Sequence, residues 1–378
     1  MHLPFKQYHL FKLLDAFGLQ SRPIDHFVST YFKANKALGS KDRLFIAQST
    51  YELIKWKLTL ESLLNFQKFS WQKAWELLQD LDLPHDPRLK TLQTHEQLSC
   101  PKFLYDLFCL NFGTHKTQEL CLTNNTPPPI YIRVNTFKTS RDYLFNQWKK
   151  QDLLVEKCKK SPLGIEFKQK IQFNSLPEFK QGFFEVQDES SQCTLNHFQP
   201  KPGETVLDFC AGSGGKTLAF SPGMKNKGQI FLHDIRTSIL KEAKKRLKRA
   251  GIQNIQFLNS NDIEKKKRLK KNCDWVLADV PCSGTGTLRR NLDSKWRLKA
   301  SDIGRLVNLQ RHIFEQALSF VKPKGFILYV TCSLLRQENE SQMDYFLSTY
   351  DLSLINTLKT FPKQNEGDGF FAALLQRK

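Results

Sequence analysis

Glu204-Thr205-Val206-Leu207-Asp208-Phe209-Cys210-Ala211-Gly212-Ser213-Gly214-Gly215-Lys216-Thr217 is the stretch that decides the fold. The apolar run Thr205 to Phe209 reads as a short buried strand, the glycines that follow read as a tight turn, and a helix is expected after them. The same pattern recurs downstream, with apolar runs at Gln229 to His233, Ile255 to Leu258, Asp274 to Ala278 and Phe326 to Val330. Helical segments lie between them, among them Arg236 to Ala250, which Gly251 stops at the position where a left-handed residue is favoured. Strands alternating with helices predict an α/β fold with a doubly wound sheet, and such sheets bind ligands at their C-terminal strand ends.

The glycine-rich turn is not a phosphate cradle. A P-loop needs glycine where Cys210 stands, and the dinucleotide fingerprint needs a third glycine where Thr217 stands. Glycines here still let a cofactor approach the backbone closely. Asp234 ends the second strand, where a carboxylate can take both hydroxyls of a ribose. Asp262 follows the third strand and Asp279 ends the fourth. A single aspartate at a strand end is usually a turn or cap residue. Three facing one crevice favour a nucleoside cofactor without phosphates, and S-adenosylmethionine fits that description.

Upstream, residues 1–125 read as helical, and two proline-rich breaks, Pro127-Pro128-Pro129 and Pro200-Lys201-Pro202-Gly203, bracket a smaller segment. In the first region Ser40 is placed to cap a helix carrying Leu44, Ala47, Tyr51, Ile54 and Leu58 as one apolar stripe. The middle segment reads as a small, lysine-rich α/β subdomain with strands at Ile130 to Asn135, Ile165 to Phe173 and Gly182 to Gln187. The expected domains are therefore 1–125, 127–190 and 191–378.

Lys and Arg total 57 against 37 Asp and Glu in 378 residues, a net charge of +20. A field of that size concentrates polyanions, and nucleic acid is the leading candidate ahead of an anionic membrane surface. Basic runs at Lys241 to Arg249 and Lys265 to Lys271 read mainly as solvated helix faces. Arg289, Arg290, Lys295, Trp296 and Arg297, which follow a thiol-bearing loop, are better placed to touch a target strand, with Trp296 equally suited to a buried place.

The nine cysteines include no C-x-x-C pair, which excludes zinc-finger and thioredoxin-like readings and leaves no metal site expected. An odd count, an N-terminus without a hydrophobic h-region and no long apolar run predict a soluble, cytoplasmic, reduced protein, expected as a monomer. Two cysteines stand apart from the rest. Cys282 lies in Asp279-Val280-Pro281-Cys282-Ser283-Gly284 and Cys332 in Tyr329-Val330-Thr331-Cys332-Ser333, at the ends of successive strands. One such cysteine is ordinarily a small core residue. Two over one crevice, under a positive field, suggest a nucleophile.

These segments, together with Arg133-Val134-Asn135-Thr136, Val186-Gln187-Asp188-Glu189-Ser190-Ser191, Glu338-Asn339-Glu340 and Asp368-Gly369-Phe370-Phe371, resemble the Sun-type, RsmB-like RNA cytosine-C5 methyltransferases. Leu38-Gly39-Ser40-Lys41-Asp42-Arg43 resembles the NusB-like domain of the rRNA-modifying branch. The resemblance implies a Rossmann-like class I methyltransferase sheet behind an all-helical NusB-like domain and a small α/β RNA-binding subdomain. It implies Cys332 as nucleophile, Cys282 as the thiol assisting product release, and Asp279 near the cytosine and the transferring methyl. Cys210, Ala211, Gly212, Ser213, Gly214, Gly215 and Lys216 would line the cofactor loop, Asp234 would hold the ribose and Asp262 the adenine side. Small-subunit rRNA is the implied substrate, with tRNA or a silent RNA-binding role as alternatives. A DNA-type cytosine methyltransferase would instead use Cys282. Gly212-Ser213 departs from the family's usual Ala-Pro, which is expected to loosen the loop slightly, and Lys324 stands where the family usually has glycine.

Overall fold

The computed structural model describes residues 3–18, 22–65, 69–259 and 261–378. It divides into two compact units: one holds the chain up to Pro127 together with Thr287–Asp302, the other Pro128–Gly286 and Ile303–Lys378.

The first unit is helical, with long helices at Phe5–Phe17, Ile24–Ala34, Ser40–Lys55, Trp71–Asp80, Lys102–Phe112 and Thr114–Asn124. The helix Ser40–Lys55 corrects the expected stripe. It buries Ile46, Ser49, Thr50, Leu53 and Ile54, while Leu44 is exposed. Ser40 is its first residue rather than its cap, and the Gly39 N–H is taken by the Asp42 carboxylate at 3.1 Å.

A second correction concerns the segment after the Cys282 loop. Lys295 and Trp296 belong to the interior of the helical unit. The Lys295 ammonium donates to Lys55 O at 2.9 Å, Ser99 O at 2.6 Å and Asn125 Oδ1 at 3.3 Å. The Trp296 indole donates to Ile54 O at 2.9 Å, Arg289 is buried, and Arg297 pairs with Asp293 at 2.7 Å. Burial lowers the Lys295 ammonium to about 8, because the charged form loses its hydration. A cation that satisfies helix-end carbonyls is thus a staple, and Lys295→Met is expected to lower unfolding free energy by about 1–3 kcal/mol. Urea denaturation of the two proteins measures this; equal midpoints and slopes would contradict it.

In the second unit, a four-stranded antiparallel sheet is built from β1 (Ile130–Val134), β2 (Val155–Lys157), β3 (Gly164–Phe167) and β4 (Phe184–Val186), in the order β2-β3-β1-β4. Its apolar side, with Ile132, Val134, Ile165 and Phe184, packs on Leu144 and Trp148 of the helix Arg141–Lys150, which Ser140 caps through the Tyr143 N–H. The strand after Ile165 is shorter than the sequence suggests, ending at Phe167.

The large sheet holds β5 (Thr205–Asp208), β6 (Gln229–His233), β7 (Ile255–Leu258), β8 (Cys273–Asp279), β9 (Val321–Thr331), β10 (Leu352–Lys359) and β11 (Phe371–Arg377), in the order β10-β11-β9-β8-β5-β6-β7. The strands β5 to β9 are parallel, and β11 joins β9 antiparallel. Alternate residues feed two cores: Leu207, Val276, Ala278, Ile327 and Tyr329 on one face, Val206, Leu277, Leu328 and Val330 on the other. Burial on both faces explains why these strands read as continuous apolar runs. At the start of β9 the pairing with β8 jumps from Cys273–Val321 to Trp275–Phe326, and the extra residues include Lys324 at φ 60. That left-handed conformation is the physical reason glycine suits the position.

Candidate active site

The site forms at the C-terminal ends of β5, β6, β8 and β9. Beyond β5 the chain turns twice through left-handed glycines, Gly212 at φ 51 and Gly214 at φ 77, and no atom would contact a Cβ added at Gly212. The turn is tied to its neighbours by the Ala211 N–H to His233 O at 2.9 Å and the Gly212 N–H to Asp234 Oδ2 at 2.9 Å. Burial pushes the Cys210 thiol upward, so at neutral pH it is a small lining group and not a nucleophile.

Asp234 sits at the end of β6 as predicted and is buried. Burial alone would raise its carboxyl, but hydrogen bonds from the Arg236 side chain and N–H and from Gly212 outweigh this and hold it below its usual value. Beside it, Ile235 is 83% exposed, and Ile263 beside Asp262 is 61% exposed. Asp262 caps its own loop, accepting the Asn259 N–H at 2.8 Å. These two bare isoleucines were not singled out in the sequence, although their places next to the two aspartates were visible there.

Lys216 reaches across the loop to Asp279, Nζ to Oδ2 at 2.6 Å, and so fixes the carboxylate at the end of β8. Asp208, missed as a site residue, lies fully buried behind this pair. Its Oδ2 accepts the Thr217 hydroxyl at 2.6 Å, and its Oδ1 is a buried oxygen with no partner. Burial first, then the nearby Asp279, raises its carboxyl to about 7 against the Thr217 bond that lowers it. A carboxyl raised on folding favours the protonated native state, so its contribution is fully present below about pH 4 and is lost as the pH rises towards 7. Urea midpoints are therefore expected to show Asp208→Asn gaining on the wild type between pH 4.5 and pH 7.5. A difference that stays constant over that range would contradict the assignment.

The two singled-out cysteines meet. Cys282 Sγ and Cys332 Sγ are 3.3 Å apart. Their loops are locked by Glu338, a fully buried carboxylate. Its Oε1 accepts the Ser283 N–H at 2.9 Å and the Gln310 amide at 2.8 Å, and its Oε2 accepts the Ser283 hydroxyl at 2.5 Å and the Ser333 hydroxyl. Asn339 adds a bond to Ser333 O at 2.9 Å and accepts the Thr331 hydroxyl at 2.6 Å. The Cys282 loop is closed by Gly286, whose N–H donates to Cys332 O at 2.9 Å and whose carbonyl takes the Gly369 N–H at 2.8 Å. A Cβ at Gly286 would stand 2.1 Å from Gly369 O, so only glycine permits this approach. The thiol of Cys282 is pushed well up, first by its hydrogen bond with Cys332, then by burial and by the charges of Cys332 and Glu338.

Motifs remote in sequence converge here too. Asp188 Oδ1 accepts the Ser190 N–H at 2.8 Å and the Asp368 N–H at 3.1 Å, and the Phe370 ring lies 5.8 Å from the Lys216 ammonium. Ser213 is tied down within the turn after β5. Its hydroxyl and carbonyl accept Arg246 Nη1 at 2.7 Å and 3.0 Å, which removes Arg246 from the solvated basic face expected of it. Arg249 likewise leaves that face, pairing with Glu185 at 2.5 Å. Among the described residues, no group of His, Cys, Asp and Glu could hold a metal ion, and no helix is long and apolar enough to cross a membrane.

Known proteins resemble this chain in sequence and in fold. Residues 195–376 match the family model of the 16S rRNA methyltransferases RsmB/F, and residues 100–174 match the ferredoxin-like domain model of RsmF/B-like methyltransferases. The chain is 34% identical over 274 residues to ribosomal RNA small subunit methyltransferase B of Photorhabdus laumondii, covering 69% of this chain and 62% of that protein. It is 32% identical over 301 residues to a probable ribosomal RNA small subunit methyltransferase B of Synechocystis, covering 75% of this chain and 68% of that protein. Among solved structures, PH0851 superimposes with a TM-score of 0.80 at 25% identity over 100% of both chains. With its paired thiols, acidic strand ends and glycine turn in the matched region, the chain belongs to the RsmB/F family of 16S rRNA methyltransferases.

Proposed function

We propose that this protein is an S-adenosylmethionine-dependent RNA cytosine-C5 methyltransferase acting on small-subunit rRNA in the cytoplasm. The observation that carries the reading is the 3.3 Å contact between Cys282 and Cys332 at the ends of adjacent strands. A half-buried pair of thiols in contact over a crevice has little purpose in packing and a direct one in covalent catalysis.

S-adenosylmethionine supplies an electrophilic methyl group. The residues present fit it: a glycine turn open at Gly212, the Asp234 carboxylate for ribose hydroxyls, exposed Ile235 and Ile263 for an apolar ring face, and an unpartnered Asp208 oxygen. A cation near that oxygen would favour its ionised form. The unreacted ring of cytosine is too weak a nucleophile at C5. Cys332 as thiolate adds to C6, which moves electron density to C5, the atom that takes the methyl as the methyl's bond to the sulfonium sulfur breaks. Once Cys332 is a thiolate, the Cys282 thiol, pushed well up and so protonated, is the group that donates across the 3.3 Å sulfur–sulfur contact and supports that negative charge. Asp279, fixed by Lys216, faces the ring nitrogen and amine side and favours the activated ring. The C5 proton then passes to a water beside Cys282, the C–H electron pair forms the C5–C6 double bond, and the carbon–sulfur bond breaks with Cys332 leaving as thiolate, which restores the aromatic ring. Cys282 assists this release. The target base must be unstacked to enter, and the net charge of +20 supplies salt-dependent RNA affinity.

The test is transfer of labelled methyl from S-adenosylmethionine to unmodified small-subunit rRNA and, separately, to tRNA. Label in rRNA 5-methylcytosine is expected. Label in tRNA alone would keep the chemistry and overturn the substrate, and tight RNA binding without label in either would overturn the enzyme reading.

A further inference from the structure

The small four-stranded sheet and the glycine turn after β5 are joined by two arginines, and both junctions involve one pair of facing residues. Arg133 on β1 and Glu185 on β4 are direct partners across the two strands. Arg133, itself buried, donates Nη1 to Gln187 Oε1 at 2.5 Å and to Gly215 O at 3.3 Å. Glu185, also buried, takes Nη2 of Arg246 on its Oε2 at 3.0 Å and Nη2 of Arg249 on its Oε1 at 2.5 Å. The same Arg246 guanidinium then uses Nη1 to grip Ser213, at 2.7 Å on the hydroxyl and 3.0 Å on the carbonyl. The two carbonyls so held, of Gly215 directly by Arg133 and of Ser213 through the Glu185-anchored Arg246, flank the left-handed Gly214 and follow the left-handed Gly212.

A loop with two glycines at positive φ has many alternative conformations, and its shape is not fixed by its own residues. Backbone bonds tie the turn at Ala211 and Gly212 and Arg133 holds it at Gly215, and the planar guanidinium, forked between a buried carboxylate and the Ser213 oxygens, fixes it at Ser213. We propose that Arg246 is a positioning residue that holds the Ser213 turn in the form that binds S-adenosylmethionine, with the Glu185 carboxylate of the small sheet as its anchor. The small domain then contributes to cofactor affinity as well as to RNA contact. This rests on the function proposed above, in that S-adenosylmethionine is taken as the ligand of the turn.

Calorimetric titration of the full-length protein with S-adenosylmethionine tests it, beside thermal melts of the ligand-free proteins. Arg246→Gln is expected to weaken binding about tenfold, the loss of one charge-assisted link. In turnover, KM for S-adenosylmethionine should rise by a similar factor with kcat within about twofold, because the loop binds the cofactor and does not touch the thiols. Ser213→Ala, which keeps the carbonyl link, should weaken binding about threefold and add nothing in the Arg246→Gln background. Arg246→Lys, which keeps the charge without the fork, should fall between wild type and Arg246→Gln. Lys244→Gln, on the exposed side of the same helix, should bind as the wild type does.

A lowered melting temperature with unchanged affinity in Arg246→Gln would show a merely structural role and overturn the proposal. Should Arg246→Gln not fold, unchanged affinity in Ser213→Ala does the same. Absence of binding by the wild type would instead overturn the function on which the proposal rests.

Discussion

Cys332→Ala is expected to reduce methyl transfer roughly 10⁴-fold or more, while binding of RNA and of S-adenosylmethionine stays within a few-fold of wild type. The size of the effect follows from the chemistry. Without addition at C6 the ring carries no useful electron density at C5, and no other group at the site can replace the lost nucleophile. Cys282, its neighbour at the end of β8, and Cys210, one strand further on, are both held protonated, Cys282 by Cys332 and also by burial and the nearby Glu338 charge, and Cys210 by burial. The substitution itself is mild for the fold, since alanine removes only a half-buried sulfur. Single-turnover assays with saturating RNA measure it. Retention of more than about a hundredth of the wild-type rate would mean that Cys332 is not the attacking group.

Glu338→Ala carries the second largest expected loss. Glu338 touches neither sulfur; it acts through the two loops that bear them, by accepting the Ser283 N–H and hydroxyl, the Ser333 hydroxyl and the Gln310 amide. Removing it leaves buried donors unsatisfied, at a cost of about 1–3 kcal/mol for each. A displacement of the loops by about 1 Å lowers the chemical rate about a hundredfold. Glu338→Gln keeps the volume but places an amide hydrogen against other donors, so an intermediate loss is expected. The measurement is kcat beside the denaturation midpoint for both variants. A fall in stability with kcat unchanged would reduce Glu338 to a core residue, and full activity in Glu338→Ala would remove it from the account.

Much of the catalytic half was legible in the sequence because its signals are local. The glycine turn, the aspartates ending β6 and β8 and the two cysteine segments lie within a few residues of apolar runs that register as strands. The strands β10 and β11 left no comparable trace. The β11 run, Phe371-Ala372-Ala373-Leu374-Leu375, is buried on both faces and lacks alternation, and β10 is an edge strand with Leu354 and Ile355 exposed. Only their pairing with β9 and each other identifies them. Charge was the least legible quantity. Lys295 reads as a contact to a target strand and is the internal staple of the helical unit; Arg246 and Arg249 read as a basic face and are held by Glu185. Nothing local distinguishes a cation that will find a buried acceptor from one that will stay in water, because the acceptor lies tens of residues away. Glu338 was visible as part of Glu338-Asn339-Glu340, but its task depends on Ser283, Ser333 and Gln310 arriving around it.

The central claim is that Cys332 and not Cys282 bonds to the base. The direct measurement is to incubate Cys282→Ala with S-adenosylmethionine and unmodified small-subunit rRNA, then resolve protein and RNA on a denaturing gel. A covalent protein–RNA species is expected to accumulate because release is impaired, and to disappear in the Cys282→Ala, Cys332→Ala double variant. A covalent species formed by Cys332→Ala and absent from Cys282→Ala would reverse the two roles and contradict the account.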